Sequence, residues 1–289
     1  MKMWILIVAT LLCATSASAT AQIPDSIIFE GKSYALHTNP LNGYLEKFNV
    51  ALPHTGVRSS ALWRGYVASF EFRRNTLHVT DVKVMDRDGG LVSVFEKVAP
   101  KSNRSREGFR ADWYSGLMVL PDGDITRYVH MGYGSQYSQY ILLEVKRRQL
   151  MRSVQLNGES YELFKDMQFQ AYKQTPDYKS QRDSMLKEGE SQAFIDSFLR
   201  DFVIDYTAQI LEGALNFRDS ETGQPAPASI RQHEVEVPQS ELEKSGLKFE
   251  SMPHRDTSVS GCQTNEPMLP LMAFLLLGCC ALARVGKSR

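Results

Sequence analysis

The sequence predicts an α+β domain: an antiparallel, meandering β-sheet over residues ~26–156, followed by helices over ~159–213 that pack on it. Three observations carry this. Period-two hydrophobic alternation, punctuated by turn residues, recurs through the first half of the chain. After Asn157-Gly158 the period lengthens to that of a helix. The helical stripe is wide and aromatic, so it must cover something, most economically a sheet face.

The elements follow in order. Ser26–Glu30 and Ser33–His37 flank Gly31-Lys32, a tight hairpin signal. In Tyr66–Arg73 the residues Tyr66, Ala68, Phe70 and Phe72 alternate with polar or smaller neighbours, and Leu77–Met85 returns after Asn75-Thr76. Asp86–Gly90 turns the chain into Leu91–Val98. Trp113–Leu120 and Ile125–Met131 read as strands joined by a turn at Pro121-Asp122-Gly123-Asp124, since Pro presets φ and Gly permits positive φ. Tyr140–Val145 and Leu150–Leu156 form a further hairpin. Tyr161, Phe164, Gln168 and Tyr172 then share one helical face. Thr175-Pro176 and Ser191 read as caps of two more helices, the last carrying Phe194, Phe198, Phe202 and Tyr206.

Residues 1–21 combine Lys2, an apolar stretch from Met3 to Leu12 and a run of small residues. They read as a secretory signal peptide cut between Ala21 and Gln22, with a second candidate cut after Ala19. Residues 22–216 form one exported domain. Residues 217–266, rich in Pro, Ser, Glu and Gln, read as an extended, partly disordered tether whose short apolar pieces, Ile230, Val235, Val237, Leu242 and Leu247, offer the domain an added strand. Residues 267–283 carry no charge, and 284–289 are basic. As a helix the uncharged run reaches roughly 26 Å, which suits a short membrane span with a cytoplasmic end. The expected location is periplasmic or cell-surface, anchored to the membrane by the C-terminus.

The chain of 289 residues is 43% hydrophobic and 23% charged, within the globular range. Its net charge of zero hides an asymmetry. Lys2, Arg284, Lys287 and Arg289 all lie in the end segments, which leaves 29 basic against 33 acidic residues between them. A mildly acidic body argues against nucleic acid as a partner. The 4 cysteines are Cys13, Cys262, Cys279 and Cys280, so the exported domain forms no internal disulfide. Neither CxxC nor HExxH spacing occurs, and neither metal nor cofactor is expected.

The densest chemistry lies in YVHMGYGSQYSQY, residues 128–140. Tyr133, Tyr137 and Tyr140 offer flat faces with polar tips, and Trp113 and Tyr114 add a second aromatic cluster. Such a platform suits a sugar or peptide. Packing over a sheet edge accounts for the same residues without a ligand. Trp63 and Arg64 are further candidate anchors. His130, paired with Asp112 or Glu144, is the candidate acid–base set. No GxSxG elbow occurs.

Ser258–Cys262, the uncharged run and the basic end together resemble a three-part C-terminal sorting signal of bacterial surface proteins. That resemblance implies that Cys262 is a processed or lipid-modified residue; a permanent single span and a glycolipid anchor remain alternatives. The stretches DSIIFEGKSYALHTNPL, SSALWRGYVASFEF and DWYSGLMVLPDGDITRYVHMGYGSQY resemble an uncharacterised family of exported bacterial proteins. That likeness implies one continuous domain and carries no activity. The leading expectation is an envelope-anchored binding or interaction module for a protein, peptide or glycan. The alternatives are an envelope-polymer hydrolase using His130, and an inhibitor or immunity factor.

Overall fold

The computed structural model describes residues 21–216 and 229–233, apart from His54, Gly56, Arg58, Ser102, Asn103, Arg106, Glu107 and Met131. The expected signal peptide, Cys262 and residues 267–289 lie outside the described residues. No described helix is long and apolar enough to cross a membrane.

Strands β1 (Asp25–Phe29) and β2 (Lys32–Leu36) form the first hairpin, followed by helix α1 (Pro40–Lys47) and a 3₁₀ turn at Ser60–Leu62. Strands β3 (Val67–Arg73) and β4 (Thr76–Met85) form the second. Short pieces then lie near β4: β5 (Leu91–Ser93), α2 (Phe95–Val98), β6 (Arg104–Ser105) and β7 (Gly108–Arg110). A long meander of β8 (Gly116–Arg127), β9 (Gln136–Lys146) and β10 (Gln149–Asn157) leads into α3 (Gly158–Tyr172), α4 (Pro176–Lys187), α5 (Gln192–Asp201) and α6 (Val203–Tyr206). A last strand, β11 (Ser229–Gln232), pairs with β10.

The main strand order is β2-β1-β3-β4-β10-β9-β8. The class is α+β, but the sheet is mixed rather than purely antiparallel. Ser26, Ile27 and Ile28 of β1 lie beside Ser69, Phe70 and Glu71 of β3 in parallel register. The reason is local. β2 already occupies one edge of β1, and the chain passes through α1 before re-entering at the other edge. The ends of the strand order also approach each other: His37 N donates to Val119 O at 2.9 Å, and Lys32 Nζ meets Asp122 Oδ1 at 2.7 Å. The sheet therefore rolls around its core.

The three two-residue hairpin turns, Glu30–Gly31, Arg74–Asn75 and Arg147–Arg148, have positive φ at both central residues. That twist matches right-handed strand pairs. Pro121–Asp124 makes no turn; it runs inside β8. Gly123, at φ +71°, sits where the register with β9 shifts, so the glycine serves a bulge. Leu91–Val98 also departs from expectation, since only Leu91–Ser93 is extended and Phe95–Val98 is a helical turn.

The apolar runs of β8 and β9 explain the layering. Met118, Leu120, Ile141, Leu143 and Val145 point into the rolled sheet's core with Ile27, Phe70 and Phe109. Leu117, Val119 and Leu142 alternate with them and are equally buried, on the opposite face. Continuous hydrophobic runs are what strands covered on both faces require. α3 contacts β9 and β10, and α6 contacts β8. The caps expected at Thr175 and Ser191 form, accepting from Tyr178 N at 3.2 Å and Phe194 N at 3.3 Å. The long final helix is broken at Phe202, and α6 ends at Tyr206. Buried Gln168 accounts for the ending: its Nε2 donates to Gln209 O and its Oε1 accepts from Leu211 N, so the backbone there bonds α3 instead of continuing.

Candidate functional site

Two recesses and a buried polar cluster lie around the helix-covered strands. The larger recess, about 440 Å³, is built where the β8–β9 pair meets the start of α3. Its walls are Thr126 of β8, Gln136, Tyr137, Ser138 and Tyr140 of β9, and Asn157, Gly158, Glu159 and Glu162 at the helix start. Gly158 permits the junction, because a Cβ there would stand 2.7 Å from Tyr137 O. Asn157 Oδ1 caps the helix by accepting from Ser160 N at 2.7 Å. Tyr140 stacks on Tyr161 at 4.0 Å between centroids, and Tyr137 meets Tyr140 edge-on. Burial pushes the Tyr140 hydroxyl above its ordinary range, and it accepts from Tyr137 N at 2.9 Å. Among the described residues, the Gln136 amide, the Thr126 hydroxyl and Asn157 Nδ2 have no partner. Glu162 pairs with Lys165 and with Arg200, which also serves Asp166 and Asp201.

Behind Tyr137 lies the polar cluster. His37 stacks on Tyr133, with centroids 4.7 Å apart, and meets Tyr137 edge-on. Burial pushes the His37 imidazole down to about 4. The Tyr133 hydroxyl donates to Asn39 Oδ1 at 3.0 Å and contacts Arg64 Nη1. Arg64 Nη1 also donates to Asn39 Oδ1, while Nη2 donates to Ile23 O at 3.0 Å and to Asp25 Oδ1 at 3.1 Å. The side chains of this ion pair are 8% and 0% exposed. Burial pushes the Asp25 carboxyl up to about 7, against the opposing pull of Arg64 and the Ala68 N–H. Asp25 Oδ2 and Arg64 Nε are buried without a partner among the described residues.

A smaller recess, about 300 Å³, lies where α6 meets the start of β8, between Thr38, Asn39, Tyr114, Ser115, Asp205 and Tyr206. Asp205 is open to solvent at its mouth. The protein crowded around it nonetheless desolvates the carboxyl and pushes it up to about 6. Thr38 Oγ1 faces Tyr114, which lies electrostatically close, but no well-formed hydrogen bond joins them. The Tyr114 hydroxyl donates to Leu117 O at 2.8 Å.

No family model, curated protein or solved structure matches the chain.

The sequence candidates fall in separate places. Tyr133 and Arg64 meet in the buried cluster, Tyr137 joins it to the larger recess, and Tyr140 lines that recess. Trp113 packs on Tyr44 and Phe109 and donates to Pro40 O at 3.0 Å, as core. Trp63 is exposed. His130 packs on Tyr128, Asp112 pairs with Arg148, and Glu144 is held by both Nε and Nη2 of Arg152. These are three separate pairs, not one acid–base set. Ala21 bridges to Gly132, and Gln22 donates to Ser60 O at 2.6 Å and accepts from Trp63 N at 3.0 Å. Among the described residues, no three His, Cys, Asp or Glu gather as a metal site requires. Sequence reasoning missed Asp25, His37, Asn39 and Asp205, single residues outside any motif. It also missed Thr126 and Gln136, whose neighbours Ile125 and Tyr137 drew the attention.

Proposed function

We propose that the chain is an exported, envelope-anchored binding module and that the recess beside Tyr137 takes a neutral glycan segment. The observation that carries this reading is the set of free polar ends around the tyrosines: the Gln136 amide, the Thr126 hydroxyl and Asn157 Nδ2. They offer donors and acceptors beside aromatic surface, with the nearby Glu162 charge already paired. That combination suits vicinal hydroxyls better than a charged ligand. Export and anchoring rest on the two apolar ends of the sequence.

The full chain immobilised on an array of envelope polysaccharide fragments is expected to retain a neutral glycan. Gln136→Ala and Thr126→Ala should each weaken retention about five- to tenfold, the effect of losing one hydrogen bond worth about 1 kcal/mol. Undiminished retention by the double variant would remove this recess from the reading. Anchoring is tested separately by fractionating cells. The full chain is expected with membranes and a chain ending at Ser260 in the soluble fraction; equal release of both rejects the anchor.

A further inference from the structure

The smaller recess, between α6 and the start of β8, holds a carboxylate with no counter-ion. Asp205 forms neither an ion pair nor a hydrogen bond among the described residues, and burial raises its carboxyl with no cation pulling the other way. The charged groups around it are tyrosines: Tyr114, Tyr161 and Tyr206 all lie close enough to feel its charge. Tyr114 and Tyr206 line the recess, with Leu117 and Ile204 as apolar wall.

Two further polar groups are unmet. Thr38, 4% exposed, lines the same recess, and its Oγ1 has no hydrogen-bond partner among the described residues. The Tyr206 hydroxyl is likewise sealed from solvent and unpartnered among them. A buried hydroxyl left unmet is unfavourable, so two of them beside an unpaired carboxylate call for a donor-rich partner.

The frame around these groups is firmly held. Gln168 donates to Thr207 Oγ1 at 2.8 Å, and Thr207 Oγ1 donates to Val203 O at 2.8 Å, which pins the turn that carries Asp205. On the facing wall the Tyr114 hydroxyl is tied to Leu117 O, and Ser115 Oγ accepts from Arg147 N at 2.9 Å. The carboxylate is therefore unpaired because the fold sets it there, in a preorganised position.

We propose that this recess is a second binding site, for a small organic ammonium ion, with the Asp205 carboxylate as its counter-ion and Tyr114 and Tyr206 beside it. An ammonium brings three donors and no acceptor, matching a carboxylate and hydroxyl oxygens. Tyrosine rings next to a carboxylate favour a cation with an organic body. A divalent metal ion fits less well, since it needs more oxygen ligands than one carboxylate and two hydroxyls supply. At about 300 Å³ the recess suits a small molecule or the end of one side chain. The site shares no lining residue with the recess beside Tyr137, so it stands or falls independently of the glycan reading.

The test titrates the full chain with n-butylammonium chloride at pH 7.5, where Asp205 is ionised, and follows binding by saturation-transfer NMR. A dissociation constant of about 1 mM is expected. n-Butanol, with the same body and no charge, should bind at least about tenfold more weakly. Asp205→Asn should lose affinity for n-butylammonium by about tenfold or more and yet raise Tm, because the amide removes an unpaired, desolvated charge. A purely structural Asp205 would instead lower Tm on replacement. Nα-acetyl-lysine methylamide separates the sources of the ammonium: tighter binding than n-butylammonium assigns the site to a lysine of a protein, weaker binding to a free amine. Equal affinity of the native chain for n-butanol and n-butylammonium overturns the inference. So does undiminished n-butylammonium binding by Asp205→Asn.

Discussion

Replacing Arg64 by Ala is expected to destabilise the domain by about 3–5 kcal/mol, the largest loss expected from a polar substitution in this domain. The guanidinium is nearly buried and serves Asp25, Asn39, Tyr133 and the Ile23 carbonyl at once. Its removal strands the fully buried Asp25 carboxyl without a cation and takes away the pull that keeps its pKa from rising further. It also frees the Ile23 carbonyl, so the segment from Ala21 to Asp25 loses one of its ties to the loop before β3 and keeps those of Gln22 and Ile23 N. The pair itself is not expected to be strongly stabilising, because desolvating two charges offsets most of their attraction. Arg64→Met combined with Asp25→Asn should therefore recover much of the loss. The amide keeps an acceptor for Ala68 N, which Asp25 Oδ1 now satisfies at 2.8 Å. Urea unfolding followed by circular dichroism measures both variants. A loss under 1 kcal/mol for Arg64→Ala would mean that water reaches the pair and that the cluster is not a buried one.

The contrast between legible and illegible parts has a physical basis. Hairpins and caps act over two to four residues, so Gly31, Thr175 and Ser191 announce them. The parallel β1–β3 pair is not visible in the sequence, because it depends on which edge of β1 remains free after β2 has paired. Pro121-Asp122-Gly123-Asp124 misleads for a related reason: the same residues serve a turn or a bulge, and the partner strand β9 decides between them. In the site, Tyr133, Tyr137, Tyr140 and Arg64 stand out by residue type and are brought near one another. Asp25, His37 and Asn39 belong to the same cluster but precede those residues by 25 to more than 100 positions. Only the rolling of the sheet places them there. His130 stands out as a lone titratable group, yet its environment is set by Tyr128 beside it.

Titration of His37 gives the second large effect. Its folded pKa of about 4 lies below the ordinary value of 6.5, so the unfolded chain holds the proton more readily between those values. Stability from keeping this imidazole neutral is fully present above pH 6.5 and is lost as pH falls through 4. The raised carboxyls run the other way. Asp25, at about 7, and Asp205, at about 6, contribute stability that is present below 3.8 and is lost as pH rises through their folded values. A plain pH–stability curve mixes these opposing trends, so the informative quantity is a difference. His37→Phe keeps a ring to stack on Tyr133 and removes only the proton-binding group. Above pH 7 the stability difference between this variant and the native chain should be constant. Between pH 6.5 and 4 the variant should gain on the native chain by about 1.4 kcal/mol per pH unit, roughly 3 kcal/mol in all. Denaturant titrations at half-unit steps from pH 7.5 to 4 measure this. A flat difference across that range would place His37 in contact with water, and the stack of His37, Tyr133 and Tyr137 could then not form the dry wall behind the proposed glycan recess.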